Sequence, residues 1–90
     1  MPVTFADDDA GYLRFLAENP DGLVVNHDRV PRRVYLVLHR ASCADISRHG
    51  RTHWTDSGLV KTCSTDRVDL EDWARSKVGG ALLSCRKCNP

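Results

Sequence analysis

Two cysteines near the end of the sequence have the spacing of half a metal site. Cys85 and Cys88 are separated by two residues, and a tight turn at this spacing lets both thiols reach one ion while backbone amides face the sulfurs. Arg86 and Lys87 lie between them and favour the thiolate form that binds metal. The pair predicts a contribution to a zinc site, with a free or redox-active dithiol as the alternative.

A second pair lies in the middle of the chain. His39 and Cys43 are separated by three residues, and zinc sites commonly join two such pairs across a fold. Cys63 is a rival for the fourth position, because it ends a predicted strand that we expect beside the strand carrying His39. The sequence thus predicts one Zn²⁺ held by Cys85, Cys88, Cys43 and either His39 or Cys63, with His39 favoured. Four protein ligands make the ion structural, since no position stays open for water.

The redox state of the cellular compartment determines whether the cysteines bind zinc or form disulfides. The first residues contain neither a basic leader nor an apolar run of signal-peptide length, and no later segment is apolar enough to span a bilayer. We therefore expect a cytoplasmic protein, in which thiols stay reduced and zinc is favoured. His49 and His53 could form another metal pair, but Gly50 between them favours a solvated basic loop.

The predicted elements have to carry these pairs to one place. Asp7 to Asp9 favour the start of a helix over residues 9–18, and residues 23–25 read as a first strand, followed by a hairpin loop at 27–32. Residues 33–39 alternate as a strand with two apolar faces, which predicts a central position in the sheet.

The second half of the chain adds three more elements. We expect a helical turn at 41–47, a surface loop at 48–57 and a third strand at 59–63. A second helix, for which Ser64, Thr65 and Asp66 offer caps, ends at Gly79-Gly80. Together these elements predict an α+β fold for a single domain, residues 1–90. It would have a small, mainly antiparallel three-stranded sheet and two helices, closed by one zinc site.

Charge is segregated along the chain. Residues 1–28 carry one cation against six carboxylates, whereas residues 29–61 carry seven cations against two. A basic middle indicates an anionic partner, although it could also face the acidic N-terminal segment within the fold. The predicted nucleic-acid contacts are the following basic residues and one aromatic residue: Arg32, Arg33, Arg40, Arg48, Arg51, Lys61 and Trp54.

These features predict a non-catalytic, zinc-stabilised binding module for nucleic acid, most simply DNA. The alternative is a protein interaction adaptor that uses the charge polarity of the chain. Enzymatic activity, as thiol-based alkyl transfer or as a nuclease, is less favoured, because the sequence shows no paired carboxylates near a histidine and no nucleophile with an adjacent base.

A family resemblance points the same way. Residues 35–43, with the His-x-x-x-Cys element, and residues 80–90, with the Cys-x-x-Cys-x-Pro ending, resemble small bacterial zinc domains. The ending distantly resembles the Ada-type metal-binding domain, in which a zinc-bound cysteine accepts a methyl group from DNA phosphotriesters. Cys43 is the position that the resemblance would assign to this role, but the closely spaced upstream cysteine pair is absent and His39 stands in place of one. The resemblance implies a nucleic-acid setting more than a reaction.

Overall fold

The structure is a computed structural model that describes residues 1–47 and 53–90. The described residues form five strands, three α-helices and one π-helical segment. The strands are β1 Val3–Phe5, β2 Leu23–Asp28, β3 Val37–Arg40, β4 Leu59–Ser64 and β5 Leu83–Ser84. The helices are α1 Asp9–Glu18, α2 Ala44–Ser47 and α3 Arg67–Trp73, and α3 continues into the π-helical segment Ala74–Val78. None of these helices is long and apolar enough to cross a membrane.

The five strands form one sheet in the order β1-β4-β2-β3-β5. All neighbouring strands are antiparallel except β3 and β5, which are parallel. The small, mostly antiparallel α+β architecture is thus confirmed, but the predicted number of three strands is wrong. The two additional strands have only three and two residues, too few for an alternating pattern to identify them in the sequence.

The central strand of the sheet is β2, not the predicted strand at 33–39. β2 pairs with both β3 and β4 and runs to Asp28, so the predicted loop at 27–32 begins later. β3 starts only at Val37, because the preceding segment turns: the amide of Tyr35 donates to the carbonyl of Arg32 at 3.1 Å. Val34, expected within the strand, is 68% exposed.

One face of the sheet is covered by α1 and α2. The carboxylate of Asp8 accepts a hydrogen bond from the amide of Gly11 at 2.9 Å, which caps the start of α1 as the run of aspartates predicts. Tyr12 of α1 is fully buried and donates to the carbonyl of Ile46 in α2 at 2.7 Å. The core on this face also contains Trp54 and three of the four cysteines.

The opposite face is covered by α3 and the π-helical segment. Val25 and Leu38 of the sheet pack there against Leu70 and Ala74. The helix ends as predicted at Gly79, whose φ of 82° is left-handed and whose amide donates to the carbonyl of Ala74 at 2.8 Å. The sheet therefore separates two cores, and the cysteines belong to only one of them.

His27 on β2 is buried with both ring nitrogens engaged. Its Nδ1 lies 2.7 Å from the carbonyl oxygen of Asp28, so this nitrogen donates, and its Nε2 accepts from the hydroxyl of Thr62 at 2.7 Å. This arrangement fits the neutral ring, and burial lowers the pKa of His27 below its ordinary value of 6.5. Protonation would reverse the direction of the bond with Thr62 and place a charge in a buried site.

His27 should therefore make the folded state sensitive to acid. Below about pH 6.5 the unfolded chain gains a proton that the folded chain takes up only at lower pH, so this contribution to stability is present above that pH and is lost as the pH falls. We expect His27→Gln to lower the free energy of unfolding by about 1 to 2 kcal/mol at neutral pH, and this difference from wild type to shrink towards about pH 5. Urea unfolding of both proteins measures the difference, and a value independent of pH would contradict the assignment.

Candidate metal centre

Four side chains meet beside β3 in the geometry of a metal site. One ligand atom each from His39, Cys43, Cys85 and Cys88 lies within 4.8 Å of the other three. The Sγ atoms of Cys43 and Cys85 are 3.9 Å apart. Zn–S bonds of about 2.3 Å in a tetrahedron separate two sulfurs by about 3.8 Å, so the cluster has the dimensions of a four-coordinate zinc site.

Strand pairing brings the two halves of the cluster together. His39 lies in β3, and Cys43 follows it in a turn closed by the hydrogen bond from its amide to the carbonyl of Arg40 at 2.9 Å. Cys85 directly follows β5, and its amide donates to the carbonyl of Leu38 in β3 at 2.9 Å. The short parallel pairing of β5 with β3 therefore sets the distance between two sequence motifs about forty residues apart.

A further turn completes the pair at the end of the chain. The amide of Asn89 donates to the carbonyl of Cys85 at 2.9 Å, which folds Cys88 back towards β3. The amide of Arg40 then donates to the Sγ of Cys88 at 3.3 Å. Amide donors to sulfur favour the thiolate that a metal requires.

Burial and hydrogen bonds act differently on the individual ligands. Hydrogen bonding from the backbone amide of Cys88 lowers the pKa of Cys85, whereas burial raises the pKa of Cys43 to about 12. Burial also lowers the pKa of His39, which keeps its ring neutral, and its Nδ1 is buried with no hydrogen-bond partner among the described residues. A bound cation would offset the cost of the Cys43 thiolate and occupy this nitrogen. The residues therefore fit a metal ion.

Arg40 and Asp45 support the cluster from outside. The guanidinium of Arg40 donates to the carbonyl oxygens of Cys88 at 3.0 Å and Asn89 at 3.3 Å. The carboxylate of Asp45 accepts from the ammonium of Lys87 at 2.9 Å and lies 3.9 Å from the Sγ of Cys85. Neither role was predicted from the sequence, although Arg40 directly follows His39 and Asp45 closely follows Cys43.

Cys63 lies apart from this cluster. It is 1% exposed on β4, where it pairs with Val24 of β2, and Val24 in turn pairs with His39 of β3. The expectation that β4 lies next to the strand of His39 is therefore wrong, because β2 lies between them. Burial raises the pKa of Cys63 to about 12, so this thiol behaves as a small apolar core group.

Trp54 and Lys61 do not lie on the surface as the predicted nucleic-acid interface required. Trp54 is 3% exposed and Lys61 is 1% exposed. The ammonium of Lys61 donates to Asn26 Oδ1 at 2.6 Å and to the carbonyl of Trp54 at 3.0 Å. These polar acceptors inside the fold, which come together only in three dimensions, explain why a lysine from a basic segment is buried.

The predicted arginines differ in their surroundings. Arg32 is ion-paired with Asp28 at 2.5 Å, while Arg33 is exposed and makes no side-chain hydrogen bond or ion pair within the described part of the chain. Arg48 and Arg51 lie outside the described residues. So does His49 of the other predicted histidine pair.

His53, the second member of that pair, is exposed. Its Nδ1 lies 2.9 Å from a carboxylate oxygen of Asp56. Within the described ranges, the metal-ligand group around His39 does not include it.

No protein-family model, curated protein or solved structure matches the chain. The resemblance to the Ada-type metal-binding domain thus gains no support beyond the residues that suggested it. The case for a metal centre rests on the geometry of the four ligands.

The zinc affinities of single Ala variants distinguish His39 from Cys63 as the fourth ligand. We expect one Zn²⁺ per wild-type chain and a loss of affinity of about a hundredfold or more when any one of the four clustered residues is replaced by Ala. Cys63→Ala removes a thiol of the same type from the same core and should leave zinc affinity unchanged. Competition with a chromophoric chelator measures both. A zinc loss in Cys63→Ala equal to that in Cys43→Ala would refute the assignment.

Proposed function

We propose that the chain is a non-catalytic binding module stabilised by one structural zinc ion. The observation that carries this proposal is the convergence of three thiols and one imidazole within 4.8 Å. Sulfur-rich, tetrahedral sites favour zinc over the harder divalent cations. Because protein side chains supply all four ligands, the ion has a structural role. The reduced thiols suit a reducing compartment, and we accordingly place the module in the cytoplasm.

The ion would hold the end of the chain onto the sheet. β5 has two residues, both exposed, so its own burial adds little to stability. Joining Cys43 to Cys85 closes a loop of about forty residues at a cost of a few kcal/mol, whereas structural zinc in small domains contributes about 10 to 16 kcal/mol. The C-terminal segment therefore depends on the metal more than the rest of the sheet does.

Zinc removal should expose this dependence. Chelation is expected to increase hydrogen exchange first at the amides of Leu83 and Cys85, which donate to the carbonyls of Leu36, just before β3, and of Leu38 in β3. These bonds lie in the segment that zinc would hold. The amides between β2 and β4 serve as the internal reference and should lose protection only as the whole domain unfolds. Unchanged exchange at Leu83 and Cys85 after verified zinc removal would overturn the structural role.

Nucleic acid is the partner that we propose for the module. Three exposed guanidiniums, those of Arg14, Arg33 and Arg86, make no hydrogen bond or ion pair within the described residues. Guanidinium groups bind phosphate in a bidentate manner, and contacts of this kind dominate nucleic-acid affinity. The support is thus a small number of available arginines in the part of the chain that the structure describes.

A protein partner is the second candidate. Val30 and Val34 are 81% and 68% exposed in the segment between β2 and β3. Two large apolar side chains close together in one exposed segment favour contact with another protein. Such binding would depend little on salt.

A salt titration distinguishes the two partners. The zinc-loaded protein should bind generic DNA at low salt, and its affinity should fall by about tenfold or less between 50 and 200 mM salt if two or fewer phosphates are contacted, since each neutralised phosphate adds about 0.9 to the slope. Arg33→Gln should lower the slope by about one unit. Arg75→Gln removes the same charge from an arginine that is already paired with Asp72 and is the matched control. No binding to duplex or single strand at low salt would exclude the nucleic-acid role without affecting the zinc site.

A further inference from the structure

A cavity of ≈ 590 Å³ lies next to the metal centre. His39 and Cys85 belong both to the lining of the cavity and to the metal centre. The polar side chains around it come from the sheet, the segment before β3, α2 and the C-terminal turn: Asn26, Tyr35, Asp45, Ser84 and Arg86. Its volume is within the range of small-molecule sites.

A buried lysine orients one of these polar groups. The ammonium of Lys61, which is 1% exposed, donates to Oδ1 of Asn26 at 2.6 Å. This contact assigns the carbonyl end of the Asn26 amide to the interior. The Nδ2 amino group of Asn26 has no acceptor within the described residues, so it remains available to donate to a ligand in the cavity.

Other polar groups of the lining are also available. The hydroxyls of Tyr35 and Ser84 and the guanidinium of Arg86 make no side-chain hydrogen bond or ion pair in residues 1–47 and 53–90. The carboxylate of Asp45 already accepts from Lys87. Arg86 is therefore the cation of the lining that can pair with an anionic group of a ligand.

The remaining walls are apolar. Val37, Ile46 and Leu83 line the cavity together with the ring of Tyr35. Aliphatic and aromatic walls with one fixed amide suit a planar ring that carries a hydrogen-bond acceptor, and an arginine at the same cavity suits a phosphate. A nucleotide combines these groups in one molecule.

We propose that this cavity holds one unpaired nucleotide. The base lies against the apolar walls and accepts a hydrogen bond from Asn26 Nδ2, and Arg86 contacts the phosphate. This inference rests on the proposed nucleic-acid function and names its site. A base within a duplex is stacked and paired and cannot enter a cavity, so the ligand is single-stranded.

Zinc binding and nucleotide binding would involve some of the same residues. His39 and Cys85 would be fixed by the bound metal, and both line the cavity. Arg86 follows Cys85 in the turn that the metal closes. Zinc loading therefore shapes the nucleotide site as well as attaching the end of the chain.

The test uses three variants of the zinc-loaded chain. Asn26→Asp keeps an acceptor for Lys61 but replaces the amino donor by a carboxylate oxygen, and Arg86→Gln removes the phosphate contact. Arg75→Gln is the control, because it loses the same charge on the helix over the opposite face of the sheet. Zinc content and urea unfolding of each variant show whether a loss of binding reflects a loss of structure.

The probes are a labelled single strand of about twelve nucleotides, the matching duplex, and free nucleoside 5′-monophosphates. We expect the single strand to bind more tightly than the duplex, and Asn26→Asp and Arg86→Gln each to weaken it by about tenfold at unchanged zinc content. Arg75→Gln should change the affinity by less than about twofold.

The possible results distinguish a failure of the cavity as the binding site from a failure of the proposed nucleic-acid function. Strand binding that is unaffected by Asn26→Asp and Arg86→Gln would overturn the cavity as the site and leave the nucleic-acid function intact. Binding of the monophosphates alone, sensitive to both variants, would support the cavity and refute the proposed strand-binding function. Equal affinity for duplex and single strand would also overturn the proposal, because a paired base cannot occupy the cavity.

Discussion

The rest of the structure depends on how the end of the chain is attached to β3. Pairing of β5 with β3 involves only two residues on β5, yet it determines where Cys85 lies relative to His39. Thiolates gathered in a buried cluster repel one another, and burial, together with the neighbouring Cys88 and Cys85 thiols, raises the pKa of Cys43 to about 12. A bound cation would offset this cost, because it would stabilise the thiolates and replace the solvent that they lost. In the proposed zinc site, the short strand and the ion would therefore stabilise each other.

Polar groups inside the fold connect segments that the sheet does not join. The carboxylate of Asp9, at the start of α1, accepts from the amide of Thr55 at 2.8 Å and from its hydroxyl at 2.7 Å. Lys61 of β4 donates to the carbonyl of Trp54, which lies outside the sheet, as well as to Asn26 on the neighbouring strand β2. Buried polar groups stabilise a fold only when they are satisfied, so each of these contacts fixes one arrangement of the chain around it. The segment at 53–57 is held in this way, and its tryptophan belongs to the core.

Local sequence signals predicted what local interactions determine. The aspartates before α1, the end of the last helix at Gly79 and the residues of β4 were all recognisable, because caps, turns and alternation act over a few residues. The ligand set could be narrowed to five residues but not decided, since the choice between His39 and Cys63 depends on strand order. The burial of Lys61 depends on an acceptor 35 residues away in the sequence, which no local pattern shows.

Charge patterning predicted a broad basic face, and within residues 1–47 and 53–90 several of its cations instead make contacts inside the fold. Arg29 binds both carboxylate oxygens of Asp7, at 2.9 and 2.7 Å, so part of the basic middle does face the acidic N-terminal segment. Arg40 donates to backbone carbonyls at the end of the chain. The carboxylate of Asp7 offsets the charge of Arg29 and so lowers its contribution to long-range attraction, whereas Arg40 keeps its charge but has its donors occupied by the backbone. The proposed nucleotide site accordingly depends on a few positioned groups in a cavity, where burial and orientation matter more than the total charge of the segment.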